Sequence, residues 1–247
     1  MSENMNSKVV IVTGSGKGIG RSIAERCAEH GMYVVIVDVD ENLAINTAKE
    51  ISERYNVKTL AVKTDVSNEE DVIEMAKKVL NEFGDIYALV NNAGIIRLGK
   101  PFEEVENKEW NMIFNINFMG VVNCCKAVLP TLKNNKKGRI INMSSLSAHT
   151  GGMAVTPAYA ASKAAIMSVT RSIAKQVAPL KITVNSVAPG LVDTDGASIC
   201  NYRPEQVPLN ELATPDNVAD AVYFLLSDGA SHITGTTLDV NGGMYMR

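Results

Sequence analysis

The sequence has little of what would point to a nucleic-acid-binding or membrane protein. It carries 24 basic and 27 acidic residues, a formal net charge of −3 and no basic block, so nucleic-acid binding has no electrostatic basis. No run approaches the roughly 18 apolar residues that a membrane span requires. Residues Met1–Ser7 are polar, without the apolar core of a signal peptide. We expect a protein that binds neither nucleic acid nor membrane and is cytoplasmic.

Cysteine is also scarce. The four cysteines, Cys27, Cys124, Cys125 and Cys200, show no metal-ligand spacing. Cys124 and Cys125 are adjacent and would lie on different parts of a helix surface, which suits neither a zinc site nor a disulfide framework. We expect reduced, buried thiols and no metal.

What the chain does have is an alternation of strand and helix patterns over 247 residues, a length that one α/β domain can occupy. Continuous apolar or β-branched runs predict buried strands, and helical patterns separate them. The predicted strands cover residues 9–12, 32–37, 59–63, 86–90, 139–143, 182–187 and 237–240. This order predicts a doubly wound parallel sheet of about seven strands with helices on both faces.

Three local signals mark helix ends and irregularities. Ser67 and Glu70 have the capping-box spacing and predict a helix to about Phe83. Thr214 and Pro215 are a good N-cap and first-turn pair. Pro130 predicts a disturbance in the last turns of a long helix over residues 107–132.

A glycine-rich segment follows the first predicted strand. Gly14, Gly18 and Gly20, with Gly16 in addition, give the spacing G-x-x-x-G-x-G rather than the commoner G-x-G-x-x-G. Glycines between a strand and a helix let the backbone turn tightly and approach a pyrophosphate at the helix N-terminus. Ligands of parallel sheets bind beyond the carboxyl ends of the strands. The sequence therefore predicts a nucleotide site at this edge.

Two residues bear on which nucleotide is bound. Asp38 ends the second strand, 18 residues after Gly20, near the position of a ribose-binding carboxylate. Such a carboxylate accepts hydrogen bonds from a 2′-hydroxyl and repels a 2′-phosphate, which favours NAD(H). Lys17 favours the opposite choice, because a cation there attracts a 2′-phosphate. We prefer NAD(H), and NADP(H) stays open.

A tyrosine and a lysine at positions i and i+4, Tyr159 and Lys163, lie in a predicted helix that extends to about Val177. This spacing places both side chains on one helical face. An ammonium close to a phenol favours the phenolate, so we expect the pKa of Tyr159 to fall below its reference value of about 10. Such a tyrosine suits proton transfer to or from an alcohol or ketone.

Taken together, these motifs resemble the classical short-chain dehydrogenase/reductase family. The resemblance rests on four segments in family order: residues 13–20, residues 91–94, Tyr159 with Lys163, and Pro189-Gly190. It implies a single-domain Rossmann fold over residues 1–247, with the nucleotide-binding part at about 8–150 and a substrate loop at about 190–214. It also implies hydride transfer between a nicotinamide and a carbonyl or alcohol carbon.

The resemblance assigns four catalytic residues. Tyr159 would be the general acid/base, and Lys163 would lower its pKa and bind the nicotinamide ribose. Ser145 would hydrogen-bond the substrate oxygen, in preference to Ser144. Asn117 matches the family asparagine that supports a proton relay, with Asn115 as the alternative.

The resemblance also implies the cofactor contacts. Asp65 would contact the adenine, residues 91–94 would line the cofactor floor, and Thr194 would hold the carboxamide. The full set of implied cofactor-binding residues is Gly14, Ser15, Lys17, Gly18, Ile19, Gly20, Asp38, Asp65, Val66, Asn92, Ala93, Gly94, Tyr159, Lys163, Pro189, Gly190, Val192 and Thr194.

The substrate is less determined. We expect specificity from residues 95–98, 146–157, 195–212 and Leu191, and His149 is either a solvated loop residue or a substrate contact. The separation from Ser145 to Tyr159 is one residue longer than is usual for close relatives. The extra residue lies within residues 151–157, where we expect part of the wall of the substrate pocket. The main hypothesis is an NAD(H)-dependent dehydrogenase of a secondary alcohol of polyol, sugar, steroid or hydroxyacyl type.

The alternative hypothesis is an NADPH-dependent 3-oxoacyl-carrier-protein reductase of fatty-acid synthesis, which the C-terminal third resembles. A carrier protein would need a basic patch, for which the candidates are Lys133, Lys136, Lys137, Arg139 and Lys181. A third hypothesis is a nucleotide-binding sensor without catalysis. Family members are commonly tetramers, so we expect a homotetramer or homodimer, with Ala160, Ala161, Ala164 and Ala165 allowing close helix contact.

Overall fold

The computed structural model describes residues 5–152, 154–194 and 202–246. Its centre is a seven-stranded parallel sheet in the order β3-β2-β1-β4-β5-β6-β7. The strands are β1 (Val9–Thr13), β2 (Tyr33–Asp38), β3 (Thr59–Lys63), β4 (Ala88–Asn91), β5 (Gly138–Met143), β6 (Ile182–Pro189) and β7 (Thr237–Val240). The predicted doubly wound parallel sheet is confirmed.

Helices cover both faces of this sheet. They are α1 (Gly18–Glu29), α2 (Glu41–Tyr55), α3 (Glu69–Phe83), α4 (Asn107–Phe114), α5 (Gly120–Asn135), α6 (Ser147–Thr150), α7 (Pro157–Val177) and α8 (Pro215–Leu226). A π-helical segment, Asn115–Met119, joins α4 to α5. Helix α6 has no counterpart in the sequence prediction.

Strand β1 shows why the apolar runs are continuous rather than alternating. Val10 and Val12 belong to the core on one face, with residues of α1, α2 and α8, while Val9 and Ile11 belong to the core on the other face, with residues of α3, α5 and α7. All five residues of β1 are buried. A strand covered by helices on both faces needs apolar side chains at every position.

Helix ends agree with the sequence at one site and differ at another. Thr214 caps α8 as predicted, with Pro215 in the first turn. The prediction for α3 was wrong by one residue, because Asn68 is the N-cap and its side chain accepts hydrogen bonds from the amides of Glu70 and Asp71. Ser67 instead donates its hydroxyl hydrogen to Asp65.

The long helical stretch is irregular at a different place from the one predicted. Helix α5 continues through Pro130 to Asn135, and the departure from α geometry is the π-helical segment ahead of it. By length and composition the stretch Asn107–Asn135 would pass for a membrane span, because its most apolar 18-residue window has a mean hydropathy of 1.5. Its apolar side chains include Val121, Cys124 and Val128, which lie in the core on one face of the sheet.

The described cysteines are free and buried, as expected. Burial raises the pKa of Cys27 and of Cys125 to about 12, which keeps these thiols protonated at neutral pH. Cys200 lies outside the described residues.

The sheet order places a crevice beside β1. This strand pairs with β2 on one side and β4 on the other, so the direction in which strands are added reverses there. At such a switch point the loops after the two strands separate and leave room for a ligand. The glycine segment follows β1, and Asn92 to Gly94 follow β4, on opposite sides of this crevice.

Candidate active site

The glycine loop after β1 is held in place by side chains from inside the protein. The Ser15 hydroxyl donates to the carbonyl of Val12 at 2.6 Å and accepts from the amide of Val37 at 3.1 Å. Thr47 donates its hydroxyl hydrogen to the carbonyl of Gly16 at 2.9 Å. The Ser15 side chain is fully buried, so its predicted contact with a cofactor would have to come from the backbone.

The glycines of this loop have different reasons to be glycine. A Cβ on Gly20 would collide with the carbonyl oxygen of Gly14 and with Nδ2 of Asn92. Gly14 has a positive φ of 62°, and a Cβ there would lie 2.8 Å from Cα of Ala93. Gly18 also has a positive φ, of 58°, but a Cβ on it would point into open space. The loop is therefore closely packed at Gly14 and Gly20 and open at Gly18.

The start of α1 fits the pyrophosphate of a dinucleotide. Its N-cap residue, Lys17, makes no side-chain cap, and its first turn contains no acidic residue. Gly18 and Ile19 line the cavity in front of it. Uncapped amides and the positive end of the helix dipole favour an anion here.

Asp38 is held against the glycine loop at the end of β2. Its Oδ2 accepts the amide of Gly16 at 3.0 Å, and its Oδ1 accepts the amide of Asp40 at 3.1 Å. A Cβ on Gly16 would lie 2.9 Å from Oδ2, so a glycine is needed for this approach. The carboxylate therefore has a fixed position beside the loop, where an adenosine ribose of a dinucleotide would lie.

The residues predicted to contact the adenine lie after β3. The Oδ1 of Asp65 accepts the amide and the hydroxyl of Ser67 at 2.9 and 2.7 Å, and Asp65 is exposed. The Val66 side chain is buried, and its carbonyl accepts from Nδ2 of Asn123 at 3.0 Å. Both residues lie outside the cavity that Gly18 and Ile19 line, as do Ser15, Asp38 and Ala93.

The segment after β4 is joined directly to the glycine loop. Asn92 donates from Nδ2 to the carbonyls of Thr13 and Gly14, both at 3.0 Å. The Thr13 hydroxyl accepts the amides of Asn92 and Ala93 at 3.0 and 3.1 Å. These bonds set the width of the crevice between β1 and β4.

Asn91 does not share this position. Its Nδ2 donates to Oδ1 of Asn142 at 2.8 Å, and Asn142 in turn donates to the hydroxyl of Thr170 at 2.9 Å. Asn91 is buried and does not line the cavity. Its side chain joins β4 to β5, and its predicted place on the cofactor floor stays a prediction.

Tyr159 and Lys163 lie on one face of α7, as predicted, and both line the cavity. Lys163 Nζ is 5.8 Å from the centroid of the Tyr159 ring and donates to the carbonyl of Met143 at 2.9 Å. Burial lowers the pKa of Lys163 to about 8. A poorly hydrated cation held beside a phenol is suited to stabilise the phenolate.

The neighbouring serines Ser144 and Ser145 both line the cavity, but their hydroxyls are used differently. The Ser144 hydroxyl is buried and donates to the carbonyl of Lys163 at 2.9 Å. Ser145 is partly exposed, and its Oγ accepts the amide of Ser147 at 3.1 Å, which leaves its own hydrogen for another acceptor. This geometry favours Ser145 over Ser144 for holding a substrate oxygen.

Asn117 is fully buried in the π-helical segment, and its side chain is occupied. Oδ1 accepts the amide of Ile95 at 2.8 Å, while Nδ2 donates to the carbonyl of Ile95 at 3.0 Å and to the Ser162 hydroxyl at 3.3 Å. Both amide hydrogens are used. The side chain therefore holds the cavity wall, and Asn115 is exposed.

Gly94 lies where Asn117 and Lys163 come closest to the cavity. A Cβ on Gly94 would lie 3.1 Å from Oδ1 of Asn117 and 3.5 Å from Nζ of Lys163. The lack of a side chain thus brings both polar groups next to the cofactor side of the cavity.

The end of β6 forms the far side of the site. Gly190 donates its amide to the carbonyl of Val240 at 2.9 Å, and Pro189 accepts the amide of Leu146 at 2.8 Å. A Cβ on Gly190 would lie 2.8 Å from Cα of Asn241. The Pro-Gly pair therefore allows two segments to approach closely.

Beyond this pair the chain remains tied to the segment before α8. Val192 and Ala213 form an isolated parallel bridge, and Asp193 donates its amide to the carbonyl of Ala213 at 2.8 Å. Val192 and Thr194 line the cavity. Residues 195–201 of the predicted substrate loop lie outside the described residues, and Tyr202 lines the cavity.

These residues enclose a cavity of about 520 Å³. One part is lined by the glycine loop, Lys17 and Asn92. The lining next to Ser145 and Tyr159 includes five apolar side chains, Ile95, Ile96, Leu146, Val155 and Leu191, together with the polar residue Ser147. The cavity thus offers apolar contacts beside the two residues predicted to act on the substrate.

The segment that contains the extra residue, residues 151–157, pairs with the segment around Leu98. Leu98 and Val155 form an antiparallel bridge, and the amide of Gly99 donates to the carbonyl of Ala154 at 3.0 Å. Met153 lies outside the described residues. The pairing could not be read from the sequence, because neither segment has a strand pattern.

His149 does not fill either predicted role. Its Nε2 lies 3.0 Å from Oδ1 of Asp239, and its ring stacks on Tyr245 with centroids 4.3 Å apart. The side chain is 11% exposed. It is neither a solvated loop residue nor a cavity-lining substrate contact.

Comparisons with known proteins agree with this arrangement. A family described as "Enoyl-(Acyl carrier protein) reductase" matches residues 14–245. The chain is 36% identical to a 3-oxoacyl-[acyl-carrier-protein] reductase of Aquifex aeolicus, covering 99% of this chain and 100% of that protein. It is 39% identical to the Vibrio cholerae protein of the same name, covering 98% and 99%. This chain is a short-chain dehydrogenase/reductase.

A solved structure is similar to this short-chain dehydrogenase/reductase over the whole fold. It is a 3-oxoacyl-[acyl-carrier protein] reductase from Brucella melitensis with bound NAD, with a TM-score of 0.91 and 30% identity over 99% of this chain and 93% of that one. Membership establishes an NAD(P)-dependent oxidoreductase that acts on a CH–OH group.

Proposed function

We propose that this enzyme reduces 3-oxoacyl thioesters to 3-hydroxyacyl thioesters with NADH. The observation that carries the proposal is the aliphatic wall beside Ser145 and Tyr159. The sequence favoured a more general secondary-alcohol dehydrogenase and kept a 3-oxoacyl-carrier-protein reductase as the alternative. The relatives favour that alternative, because those quoted above are named as 3-oxoacyl-[acyl-carrier-protein] reductases.

The wall argues against a sugar or polyol. Such substrates carry several hydroxyl groups, and each one left without a partner in an apolar pocket costs free energy. The side chains of Ile95, Ile96, Leu146, Val155 and Leu191 offer no polar atoms. An acyl chain, by contrast, gains from contact with them.

The chain supplies the proton chemistry of the reduction. When bound, NADH supplies the hydride that reaches the carbonyl carbon. Tyr159 gives its phenolic proton to the carbonyl oxygen, and the Lys163 cation stabilises the phenolate that is left. Ser145 donates a hydrogen bond to the same oxygen. Asn117 holds Ile95 and thereby the wall against which the substrate packs.

Asp38 supports NADH over NADPH. Its carboxylate is fixed by the amides of Gly16 and Asp40, so it cannot turn away from a 2′-phosphate without losing both bonds. A negative charge held there repels a second negative charge. The Brucella melitensis relative was solved with NAD, so a reductase of this name can accept NAD.

The basic residues predicted to receive a carrier protein lie at the wrong edge of the sheet for that task. Lys136, Lys137 and Lys181 surround the starts of β5 and β6, while the cavity is at the carboxyl ends. Six residues of β5 at about 3.3 Å each separate the two edges by roughly 20 Å. A carrier protein would have to approach from the cavity side.

One experiment tests the substrate proposal. Purified enzyme with NADH is offered an acetoacetyl thioester, a crotonyl thioester, a steroid ketone and a keto sugar. We expect the acetoacetyl thioester to have the highest kcat/KM. A higher kcat/KM for the steroid ketone would support the general secondary-alcohol dehydrogenase instead. A higher kcat/KM for the crotonyl thioester would indicate enoyl reduction. Lys181→Glu, with acetoacetyl carrier protein as substrate, should leave KM unchanged.

The cofactor proposal has its own test. Asp38→Asn keeps an acceptor for the amide of Gly16 but removes the charge, and it should raise the NADPH/NADH ratio of kcat/KM by about 10-fold, equivalent to about 1.4 kcal/mol. Lys17→Gln should lower turnover with NADPH more than with NADH. An unchanged ratio in Asp38→Asn would assign the preference to another residue.

The sensor hypothesis predicts nucleotide binding without turnover. Tyr159→Phe keeps the ring but removes the proton donor, so we expect NADH binding to persist and kcat to fall by about 10²–10⁴-fold. Absence of turnover in the unmodified enzyme with every substrate above would support the sensor instead.

We also propose a homo-oligomer in the cytoplasm. Large apolar side chains are exposed around α4 and α5, namely Phe102, Met112 and Met119, and a second copy of the chain is the simplest cover for them. Of the alanines named above, Ala160 is already buried within the chain. The mass in solution tests the assembly, and a monomer would contradict it.

A further inference from the structure

Helix α6 begins two residues after Ser145 and sets the surroundings of its hydroxyl. The amide of Ser147 donates to Oγ of Ser145 at 3.1 Å, and the amide of Ala148 donates to its carbonyl at 3.0 Å. An oxygen that accepts an N–H on one side directs its own hydrogen elsewhere. The orientation of the Ser145 hydroxyl thus depends on where α6 lies.

A helix of four residues cannot hold this position by itself. Forming one helical turn fixes several backbone dihedrals for very few hydrogen bonds, so isolated short helices are unstable. Tertiary contacts must therefore keep α6 in place. One is the bond from the amide of Leu146 to the carbonyl of Pro189.

His149 supplies a side-chain contact of the same kind. Its Nε2 lies 3.0 Å from Oδ1 of Asp239, and its ring stacks on Tyr245 at 4.3 Å with the planes 9° apart. The side chains of the pair are 11% and 20% exposed. Limited exposure strengthens such a contact relative to one at an open surface.

The partners of His149 are themselves fixed. Asp239 lies in β7, in register with Ala188 of β6. The carbonyl of Tyr245 accepts from Nδ2 of Asn241 at 3.2 Å. The imidazole therefore connects α6 to the last strand and to the C-terminal turn.

We propose that His149 is a positioning residue for carbonyl reduction. Held by Asp239 and Tyr245, its ring holds α6, and through the amide of Ser147 it sets the direction of the Ser145 hydroxyl. The inference rests on the proposed function in one respect, namely that Ser145 binds the substrate oxygen. His149 touches neither substrate nor cofactor.

Kinetic constants distinguish positioning from general stability. His149→Ala should lower kcat for the acetoacetyl thioester by about 10-fold or more, because small displacements of a reacting group are costly. The Kd of NADH should stay within about 2-fold, since the hydrogen bonds that hold the glycine loop come from Val37, Thr47 and Asn92 and not from α6. His149→Gln places an amide nitrogen near the position of Nε2 and should restore most of kcat. Asp239→Ala should reproduce the loss.

The chain offers a matched control. His30 stacks on Tyr223 with centroids 4.0 Å apart and planes 10° apart, the same type of contact between the end of α1 and α8. His30→Ala should lose a comparable stack and leave kcat unchanged. An equal loss of kcat in both variants would reduce the effect of His149 to general stability and overturn the proposal.

Hydrogen exchange gives a readout that needs no substrate. Amides of residues 145–152 should exchange faster in His149→Ala than in the unmodified protein or in His30→Ala. Unchanged exchange would overturn the positioning role whatever the substrate is. Faster exchange in an enzyme that reduces no thioester would support the anchoring of α6 and count against the proposed function alone.

Discussion

The Asn117 side chain holds the backbone of Ile95 by both of its polar groups. Oδ1 accepts the Ile95 amide at 2.8 Å, and Nδ2 donates to the Ile95 carbonyl at 3.0 Å. A fully buried residue of the π-helical segment thus fixes a residue of the substrate wall, 22 positions earlier in the chain.

Asn117→Ala should therefore destabilise the protein and impair the site. It leaves the amide and carbonyl of Ile95 without partners, which we expect to cost about 2 kcal/mol in the free energy of unfolding. Urea denaturation measures this. Asn115→Ala is the control, because Asn115 is exposed and its loss should stay within about 0.5 kcal/mol. Equal urea midpoints for the two variants would contradict the assignment.

The two serines after β5 should respond in opposite ways. Ser145→Ala removes the donor to the substrate oxygen, so kcat/KM should fall by about 10²-fold. The amide of Ser147, which loses Oγ as an acceptor, is partly exposed, so the free energy of unfolding should fall by less than about 0.5 kcal/mol. Ser144→Ala removes a buried hydrogen bond to the carbonyl of Lys163 and should cost about 1 kcal/mol of stability. Steady-state kinetics and thermal denaturation of both variants decide it. A larger loss of kcat/KM in Ser144→Ala would show that Ser144, and not Ser145, binds the substrate oxygen.

Lys163 should make stability depend on pH in the alkaline range. Its pKa is lowered from 10.5 to about 8 by burial, so the folded chain loses this proton before the unfolded chain does. Below pH 8 Lys163 is protonated in both the folded and the unfolded state, and the cost of burying its charge lowers the free energy of unfolding in full. Between pH 8 and 10.5 the unfolded state binds more protons, so stability rises with pH.

Lys163→Met removes this dependence. Relative to that variant, the unmodified protein should gain up to about 3 kcal/mol in the free energy of unfolding between pH 8 and 10.5. Urea unfolding of both proteins across this range measures the difference. A difference that stays constant, or that falls with rising pH, is incompatible with a buried cation at this position.

Gly20 should tolerate no side chain. A Cβ would meet the Gly14 carbonyl and the Asn92 amide, both of which hold the crevice open, so Gly20→Ala should cost about 1–3 kcal/mol and weaken NADH binding. Gly229→Ala is the control, because its Cβ would make contacts of 3.4 Å or longer. Fluorescence titration with NADH and thermal melts compare the two. Normal NADH affinity in Gly20→Ala would show that the loop can relax.

Much of the fold and part of the site follow from local sequence. Continuous apolar runs such as Val9–Val12 predict strands buried on both faces, and seven of them appear in one parallel sheet. The spacing of Tyr159 and Lys163 places both on one face of α7. Helix α6 and the pairing of Leu98 with Val155 were missed, since neither has a periodic pattern.

The sequence by itself determined the succession of strands and helices along the chain, the edge of the sheet at which a ligand binds, and the Tyr159–Lys163 pair. These depend on spacings of a few residues, which backbone geometry converts directly into periodicity and turns. Only the tertiary structure decided that Asp38 accepts the amide of Gly16, that Asn117 holds Ile95, and that His149 pairs with Asp239. These partners are 22, 22 and 90 positions apart, so the packing of whole elements brings them together.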